Sequence, residues 1–336
     1  MGQFNGAARA VANSELFSQH PNGFGISPYL QEKLVFLGQF EVYKQAAELA
    51  QTMLGLPIYP SQINRLTNYY GAAIAHDLNQ SAGVEDALVE PSGVMYAQAD
   101  GAMLLTDEGY KEVKLGRIFA ATALKQSVVE ERGGQIESSV FVGHLGTAAE
   151  FSIKFETQLA PYIALEEALV FISDGSPWLR LMMEKACPKA TLILDMYHAL
   201  SYIGQVSSAA FGLGKAGSDW FTEQRKLLLD SRLDAVLSHI KEVRIGVELR
   251  DSVCSYLESN RDRMDYKQYQ ERGLLIGSGA IESAHRTVMQ RRLKRSGQRW
   301  SIRGAQQVLN LRVCLMSGRW RLVRERIEPN TCIVDT

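Results

Sequence analysis

The 336-residue sequence predicts an α/β fold: a mixed five-stranded sheet with flanking helices, preceded by a helical segment and interrupted by an all-helical insertion. In residues 111–121, Val113 and Leu115 alternate with polar residues or glycine, as expected of an antiparallel strand with one solvated face. Residues 168–173 form a short apolar run, which is typical of a buried strand. Residues 199–270 instead carry apolar side chains at helical spacing, which indicates the insertion.

The first part of the chain is predicted to be an arm followed by helices. Residues 1–26 are rich in Gly, Asn and Ser and predict a flexible arm. Helices are predicted to start at Ser27, to run over 40–54, and to start again at Ser61 as an N-cap.

Helix, short turn, helix is the pattern of a DNA-binding helix-turn-helix, and an ordinary helical hairpin explains it equally well. In the first interpretation residues 27–90 form a helical DNA-binding domain. Three of its side chains would then face outward and reach base edges or phosphates. These are Gln62, Arg65 and Asn68.

The segment that follows has the order strand, strand, strand, helix, strand, helix, strand. The approximate ranges are 94–99, 111–121, 138–143, 148–165, 168–173, 177–186 and 190–194. This is the element order of a ribonuclease H-like core. The sheet pattern stops after Asp195, and a new helix begins near Gly279. We therefore assign 91–198 and 273–336 to the core domain with its basic C-terminal helices, and 199–272 to the insertion.

Three acidic residues form the candidate site. Asp100 and Asp174 each end an apolar run that is predicted to be a buried strand, and Glu282 lies near the start of a helix. Carboxylates at strand ends of one sheet can hold two hard cations about 4 Å apart, which is what phosphoryl transfer needs. Asp-Gly pairs also occur in plain turns, and an acid in a first helical turn complements the helix dipole.

The net charge of −1 is unevenly distributed along the chain. Residues 286–326 contain twelve Lys and Arg against one acidic residue, Glu325. Such segregation indicates a nucleic-acid contact surface, although a solvated helix face would read the same way. We expect the tail to continue the helix of Glu282 and to contact DNA through basic and aromatic side chains. The predicted contacts are His285, Arg286, Arg291, Arg292, Lys294, Arg295, Arg299 and Trp300.

Other features limit the possible classes. No stretch approaches the roughly 20 apolar residues of a membrane span, and the N-terminus lacks the pattern of a secretion signal. The four cysteines form no CxxC pair, which argues against a zinc knuckle or a disulfide scaffold. We expect a cytoplasmic, nucleoid-associated protein with no membrane partner.

Several short motifs, in this order and spacing, resemble bacterial insertion-sequence transposases of the DDE type. The similarity is closest to the Kra-type group and more distant to Mutator-like transposases, and it covers about residues 27–320. The motifs are Ala99-Asp100-Gly101, Glu112-Val113-Lys114-Leu115-Gly116-Arg117-Ile118-Phe119, Ile172-Ser173-Asp174-Gly175-Ser176-Pro177-Trp178, Ile193-Leu194-Asp195-Met196-Tyr197-His198, Gly277-Ser278-Gly279-Ala280-Ile281-Glu282-Ser283 and Arg291-Arg292-Leu293-Lys294-Arg295-Ser296-Gly297-Gln298-Arg299-Trp300.

The resemblance implies a ribonuclease H-like catalytic core that cuts and joins the ends of its own element. It implies two Mg²⁺ ions, which Mn²⁺ can replace, held by Asp100, Asp174 and Glu282. The partners it implies are transposon-end and target DNA, bound by a homodimer or higher oligomer.

Two questions stay open at this point. Asp195, in an Asp-x-x-His motif with His198, is the alternative second acid; otherwise this pair orders the site or contacts a phosphate. The alternative function is a catalytically silent DNA-binding protein derived from a transposase. A structure-selective nuclease such as a junction resolvase would explain the acids but not the helical segments.

Overall fold

The computed structural model describes residues 24–80, 89, 93–126 and 134–328. Most of the predicted arm, residues 1–23, lies outside the described residues. Phe24 is buried, and its ring lies 5.4 Å from that of Tyr69 and 6.4 Å from that of Tyr70. The last residues of the predicted arm therefore pack onto the helices that follow.

A mixed five-stranded sheet lies at the centre of the described structure. The strands are β1 (Met95–Thr106), β2 (Gly109–Ala120), β3 (Leu124–Gln126), β4 (Gly134–Ile136), β5 (Val140–Leu145), β6 (Leu169–Ser173) and β7 (Thr191–Leu194). The large sheet has the order β5-β2-β1-β6-β7, and β3 pairs with β4 separately. The β1–β2 and β2–β5 pairs are antiparallel, whereas β1–β6 and β6–β7 are parallel. The predicted α/β class and mixed five-stranded sheet are confirmed.

Strand β1 is longer than predicted. Asp100 was predicted to follow the end of this strand, but the strand continues to Thr106. The reason is the antiparallel ladder with β2, which is unbroken from the Met95–Ala120 pair to the Thr106–Gly109 pair. Asp100 therefore lies within a strand, and the prediction that it ends one was wrong.

The remaining elements are helical. They are α1 (Pro28–Phe40), α2 (Tyr43–Leu54), α3 (Pro60–Ala73), α4 (Ala75–Leu78), α5 (Ala148–Leu159), α6 (Pro177–Ala186), α7 (Met196–Phe211), α8 (Lys215–Leu229), α9 (Leu233–Glu242), α10 (Val247–Ser259), α11 (Tyr266–Glu271), α12 (Gly279–Ala284), a π-helix (His285–Gln290), α13 (Arg291–Leu293), α14 (Ile302–Met316) and α15 (Arg321–Ile327). Short 3₁₀ helices cover Ala121–Ala123, Ala160–Ala168 and Arg261–Arg263.

The helix starts follow local sequence signals. The Ser27 hydroxyl accepts a hydrogen bond from Leu30 N at 3.3 Å, which confirms the predicted cap of α1. Helix α3 starts at Pro60, because proline suits the first helical position, and not after Ser61 as predicted. The Gln62 side chain accepts a hydrogen bond from Tyr59 N at 3.1 Å and so caps this helix.

Each face of the sheet has its own core. Tyr96 and Ile172 pack with the helices of the predicted insertion, in which α7 to α11 follow one another. Ala97 and Phe171 face the other way and pack with α5 and α6. Because side chains alternate along a strand, Asp100 belongs to the Tyr96 face.

Helix α14 connects the N-terminal helices to the sheet. Its Val308 and Leu309 pack in a core with β1, β2 and β5, and its Leu311 and Cys314 pack with α1, α2 and α3. A helix that is apolar around most of its circumference is buried, and α14 lies between the two cores accordingly. The N-terminal helices therefore share their core with C-terminal helices.

No helix in the described ranges is long and apolar enough to cross a membrane.

The contact between α3 and α14 gives the first prediction. A Cβ placed on Gly71 would collide with the backbone carbonyl of Gln307 in α14. We expect Gly71→Ala to lower the free energy of unfolding by about 1–3 kcal/mol, as overpacking does. Gly204→Ala in α7 is the matched control, because its Cβ would meet Phe221 at an ordinary 3.7 Å.

Urea unfolding of both variants measures this effect. Gly204→Ala should be neutral or gain up to about 1 kcal/mol from helix propensity. A Gly71→Ala variant as stable as Gly204→Ala would mean that α3 and α14 are not closely packed.

Candidate active site

Three of the predicted acids lie side by side at one edge of the parallel part of the sheet. Asp100 and Asp174 each lie two residues beyond the last β1–β6 pair, Gln98–Ile172. Asp174 and Asp195 each lie one residue beyond the last β6–β7 pair. Neighbouring strands are about 4.8 Å apart, so the register brings the three residues into one row.

Asp100 is the electrostatic centre of this row. The pKa of Asp100 is raised to about 6, mainly by burial and in smaller part by the carboxylates of Asp174 and Glu282, whereas the Gly101 amide and His198 oppose the rise. The Asp100 side chain is still 37% exposed, so it remains reachable. The structure therefore brings Asp174, Glu282 and His198 close enough to act electrostatically on Asp100.

Asp174 is held by the turn that leads into α6. Its two carboxylate oxygens accept hydrogen bonds from the amide and the hydroxyl of Ser176, both at 2.9 Å. The turn needs Gly175, whose φ of 91° lies in the left-handed region. The Asp174 carbonyl accepts a hydrogen bond from the Tyr256 hydroxyl at 2.7 Å. The turn interpretation therefore applies to Asp174, and its role in a site stays a prediction.

Asp195 has a different environment. It is 3% exposed, and its carboxylate accepts hydrogen bonds from the Ser278 amide at 3.1 Å, the Ser278 hydroxyl at 2.8 Å and the Tyr197 amide at 3.1 Å. Asp195 thus caps α7 and holds the segment before α12. His198, also on α7, lies against the rings of Tyr202 and Tyr256.

Helix α12 is held over the sheet by buried polar side chains. The Gln98 side chain donates to Gly277 O at 3.3 Å and accepts from Ile281 N at 2.9 Å. Arg117 donates to Ala280 O at 2.9 Å, and burial lowers its pKa to about 10. Glu282, on the exposed side of this helix, lies 3.5 Å from the Ser278 hydroxyl.

His285 lies beside Asp100. It is buried, and its Nε2 is 3.6 Å from Asp100 Oδ2. Burial lowers the pKa of His285 to about 4, so the ring is neutral at pH 7. The predicted phosphate contact by His285 was wrong, because the side chain faces the core. His285 is the first residue of the π-helical segment. π-Helices are rare in proteins, and those that occur are often at functional sites.

Sequence reasoning missed Gln98, Arg117, Ser278 and Tyr256. The sequence contained a signal for two of these residues. Gln98 is a polar residue in an apolar strand, and it lies two positions before Asp100, so both side chains are on the same face of the sheet. Arg117 likewise interrupts the apolar end of β2. Ser278 lies in the motif of residues 277–283, but its hydrogen bond to Asp195 joins segments that are far apart in the sequence.

Several basic side chains of the tail are bound within the protein, so only part of the tail is exposed to solvent. The helix that carries Glu282 continues to Leu293 and ends at Lys294. Arg291 and Arg292 therefore lie on this helix, whereas Arg295 and Arg299 lie in the segment that follows it. The Arg295 side chain binds the carboxylate of Glu41 in the segment between α1 and α2. Arg299 donates to the carbonyls of Thr106 and Asp107.

Two further tail residues are part of the fold. Arg292 is 1% exposed, and its Nε donates to Gly38 O at 3.0 Å, so it does not lie on an exposed helix face. The Trp300 indole donates to Leu293 O at 3.0 Å and anchors the tail. The predicted contacts that remain exposed are Arg65, Arg286, Arg291, Lys294 and Arg299.

The other predicted base-reading residues of α3 are also engaged. Gln62 caps its own helix, and Asn68 donates to Asn64 at 2.5 Å. Arg65 is exposed and its guanidinium carbon lies 5.0 Å from the centre of the Phe24 ring. Of the three predicted contacts in this helix, Arg65 is the exposed one.

The site offers oxygen ligands, which suit Mg²⁺ or Mn²⁺. Within the described residues, no group of three His, Cys, Asp or Glu side chains is arranged as a complete metal site. The donor chemistry fits a hard cation, and exposed Glu282 and half-buried Asp174 border the carboxylate of Asp100. A cation would require these side chains to turn toward one another.

The fold and the site define a mixed α/β protein with a row of acids at the edge of its sheet. The chain belongs to the Uncharacterised protein family (UPF0236), whose family model matches residues 26–327. It is similar to the "UPF0236 protein in vanSb 3'region" of Streptococcus gallolyticus, with 24% identity over 308 residues.

The matched part covers 90% of this chain and 66% of that relative, so the chain spans just under two thirds of the relative's length. Neither the family description nor the relative's name refers to a transposase. The similarity to Kra-type transposases therefore stays a prediction.

The raised pKa of Asp100 predicts a pH-dependent stability. The ordinary pKa of an aspartate is about 4, so ionisation between about pH 4 and 6 is disfavoured in the folded state only, and stability falls over that window as pH rises. Asp100→Asn removes this penalty. We expect it to melt above the wild type at pH 7–8, with the difference shrinking as pH falls below about 6.

Melting curves between about pH 4 and 8 measure this difference. Asp219→Asn, at an exposed position of α8, is the control for loss of one negative charge. A melting difference for Asp100→Asn that is constant with pH, or of opposite sign at pH 8, would contradict the electrostatic coupling at Asp100.

Proposed function

We propose that this protein is a DDE transposase with Asp100, Asp174 and Glu282 as its catalytic acids. It hydrolyses a phosphodiester bond of DNA, and the freed 3′-hydroxyl then attacks a target phosphate and displaces the 3′-oxygen of the target strand. One observation carries the proposal: the sheet register places Asp100 beside Asp174, and the carboxylates of Asp174 and Glu282 both contribute to raising the pKa of the partly exposed Asp100 to about 6. A group of like charges is costly to stability and is characteristic of functional sites.

The sheet supports a ribonuclease H-like arrangement for the core. A three-stranded antiparallel unit comes first in the chain, and two further strands then extend it in parallel beside β1. Asp100 on the central strand and Asp174 on its parallel neighbour occupy adjacent positions. These are the positions that the resemblance to transposases assigns to the first two acids.

The acids also suit a divalent cation. When bound, two Mg²⁺ ions would neutralise the transferring phosphate and lower the pKa of the attacking water or hydroxyl. Asp100, Asp174 and Glu282 would hold them. A cation near Asp100 would keep this residue ionised at pH 7 by offsetting the repulsion from its neighbours.

Other residues of the chain would position these acids. Gln98, Arg117 and Asp195 fix α12 and thereby Glu282. Ser176 orients the carboxylate of Asp174 through both of its oxygens. Neutral His285 fills the space behind Asp100 without adding charge.

DNA binding is the second part of the proposal. Arg286, Arg291 and Lys294 are exposed on the helix that carries Glu282 or directly after it. Such side chains contact phosphates and so position DNA without reading its sequence. We also propose that the protein acts as a homodimer or higher oligomer on transposon-end and target DNA, in the cytoplasm and in association with the nucleoid.

A catalytically silent DNA-binding protein derived from a transposase is the second candidate. One observation favours it: the exposed basic side chains of Arg286, Arg291 and Lys294 could bind phosphates without any contribution from the acids. This candidate retains the basic surface and predicts no strand cleavage under any metal condition.

The catalytic acids are tested directly by substitution. We expect Asp100→Asn and Glu282→Gln each to reduce Mg²⁺-dependent strand cleavage by more than about a hundredfold, since even residues that only support metal ligands cost 10–100-fold. DNA affinity should stay near wild type, because each change removes negative charge near phosphates. The assay is cleavage of DNA carrying the flanking ends, and Asp219→Asn is the control.

Wild-type cleavage by either variant would remove that residue from the mechanism. Absence of cleavage in the wild-type protein with Mg²⁺ and with Mn²⁺, together with DNA binding, would favour the silent candidate.

The identity of the second acid is tested by comparing Asp174→Asn with Asp195→Asn. We expect Asp174→Asn to lose cleavage while melting close to the wild type. Asp195→Asn should lower the melting temperature, because its buried carboxylate accepts three hydrogen bonds. Loss of cleavage by a stably folded Asp195→Asn, with active Asp174→Asn, would assign the role to Asp195 instead.

A further inference from the structure

A pocket of about 280 Å³ lies between the N-terminal helices and the basic tail. Its lining includes Tyr43 of α2, Asn68 of α3, and Arg292, Arg299 and Ser301 from the tail. The pocket is separate from the row of acids, and none of its lining residues belongs to that row.

The pocket is bordered by buried polar atoms that lack a partner. Among the described residues, Nη1 and Nη2 of Arg292, the Tyr43 hydroxyl and Asn68 Oδ1 are buried and make no hydrogen bond. Arg292 is 1% exposed. A buried charged group without hydrogen bonds is strongly destabilising unless a ligand satisfies it.

Arg292 is held in one orientation by its surroundings. Its Nε donates to Gly38 O at 3.0 Å, and its guanidinium carbon lies 4.8 Å from the Tyr43 ring centre and 4.9 Å from that of Trp300. The two terminal nitrogens are therefore a fixed pair of donors. Such a pair matches two oxygens of a phosphate or carboxylate.

The surrounding charge favours an anion. Arg299 lines the pocket, and Ser301 caps the N-terminal, positive end of the 15-residue helix α14. The nearby carboxylate of Glu41 acts on Arg292, but it also forms an ion pair with Arg295. The net charge around the pocket is positive.

The pocket continues into a longer groove of about 860 Å³ between α3 and α14. The two share Asn64, Asn68, Ser301 and Gly304, and the groove adds the basic side chains Arg65 and Arg303. A single small anion would leave this groove unused, whereas a charged chain would follow it. The unpartnered oxygen of Asn68 is an acceptor, which suits an amino group or hydroxyl of a nucleotide better than an anion.

We propose that this pocket binds one phosphodiester group of a nucleic-acid strand lying in the α3–α14 groove, with the two terminal nitrogens of Arg292 on two phosphate oxygens. The Tyr43 hydroxyl donates to the same phosphate, and Asn68 accepts from the adjoining nucleotide. This inference rests on the proposed nucleic-acid function, but it does not require strand cleavage.

The experiment compares four proteins: wild type, Arg292→Lys, Tyr43→Phe and the control Arg321→Lys, which alters an exposed arginine of α15. The probes are a 12-nucleotide single-stranded DNA in an anisotropy titration and inorganic phosphate in thermal melting at constant ionic strength. We expect Arg292→Lys to weaken DNA binding about tenfold or more and Tyr43→Phe about threefold, consistent with loss of charge-assisted and neutral hydrogen bonds. Arg321→Lys should bind as the wild type does.

Phosphate should also raise the melting temperature of the wild type more than that of Arg292→Lys. Wild-type DNA affinity in both pocket variants would overturn the proposal. A phosphate effect that depends on Arg292 without any change in DNA affinity would overturn the nucleic-acid occupant and assign the pocket to a free phosphate compound. If Arg292→Lys does not fold, Tyr43→Phe decides, because it retains the ring and removes only the unpartnered hydroxyl.

Failure of this site can be told apart from failure of the proposed catalysis. Arg292-dependent DNA binding by a protein without Mg²⁺-dependent cleavage would contradict the catalytic proposal alone. Cleavage with wild-type DNA affinity in both pocket variants would contradict the pocket alone.

Discussion

The candidate site depends on how the start of α12 and the residues just before it are held on the sheet. Gln98 on β1 donates to Gly277 O, 179 residues further along the chain, and accepts from Ile281 N in α12. Asp195 binds Ser278, and Arg117 binds Ala280 O. Each of these polar side chains is buried, and each would be costly to bury without its partner. These hydrogen bonds hold Glu282 close enough to Asp100 to affect its pKa.

The same edge of the sheet concentrates negative charge. The register places Asp100, Asp174 and Asp195 on neighbouring strands, but their surroundings separate their roles. Asp195 is buried and saturated with hydrogen bonds, whereas Asp100 is partly exposed and has a raised pKa. Raised pKa values of this kind are frequent at functional sites, and under the proposed function a bound cation would offset the repulsion between these carboxylates.

Much of the fold could be predicted from the sequence, because it rests on local patterns. The apolar runs of β6 and β7 and the cap at Ser27 are examples. The extent of β1 could not be predicted, since β2 sustains it beyond Asp100. Tertiary contacts also determine which side chains of the basic tail are exposed. The sequence does not distinguish Arg292 from a surface arginine, but in the structure it is buried and donates a hydrogen bond to Gly38 O.

The candidate acids themselves could be found from sequence, because each lies in a short motif. Their neighbours could not, since the contacts of His285 with Asp100 and of Tyr256 with Asp174 join segments far apart in the chain. The distinction between Asp174 and Asp195 also needed the structure. Both follow apolar strands, and only their hydrogen bonds separate an oriented, half-buried carboxylate from a buried helix cap.

Anomalous diffraction from crystals soaked in Mn²⁺ tests the central claim most directly. The account predicts an anomalous peak bounded by the carboxylates of Asp100 and Asp174, with Glu282 turned toward it. It also predicts that the peak disappears in Asp100→Asn crystals soaked in the same way. A peak coordinated by Asp195, or no peak near Asp100 at saturating Mn²⁺, would contradict it.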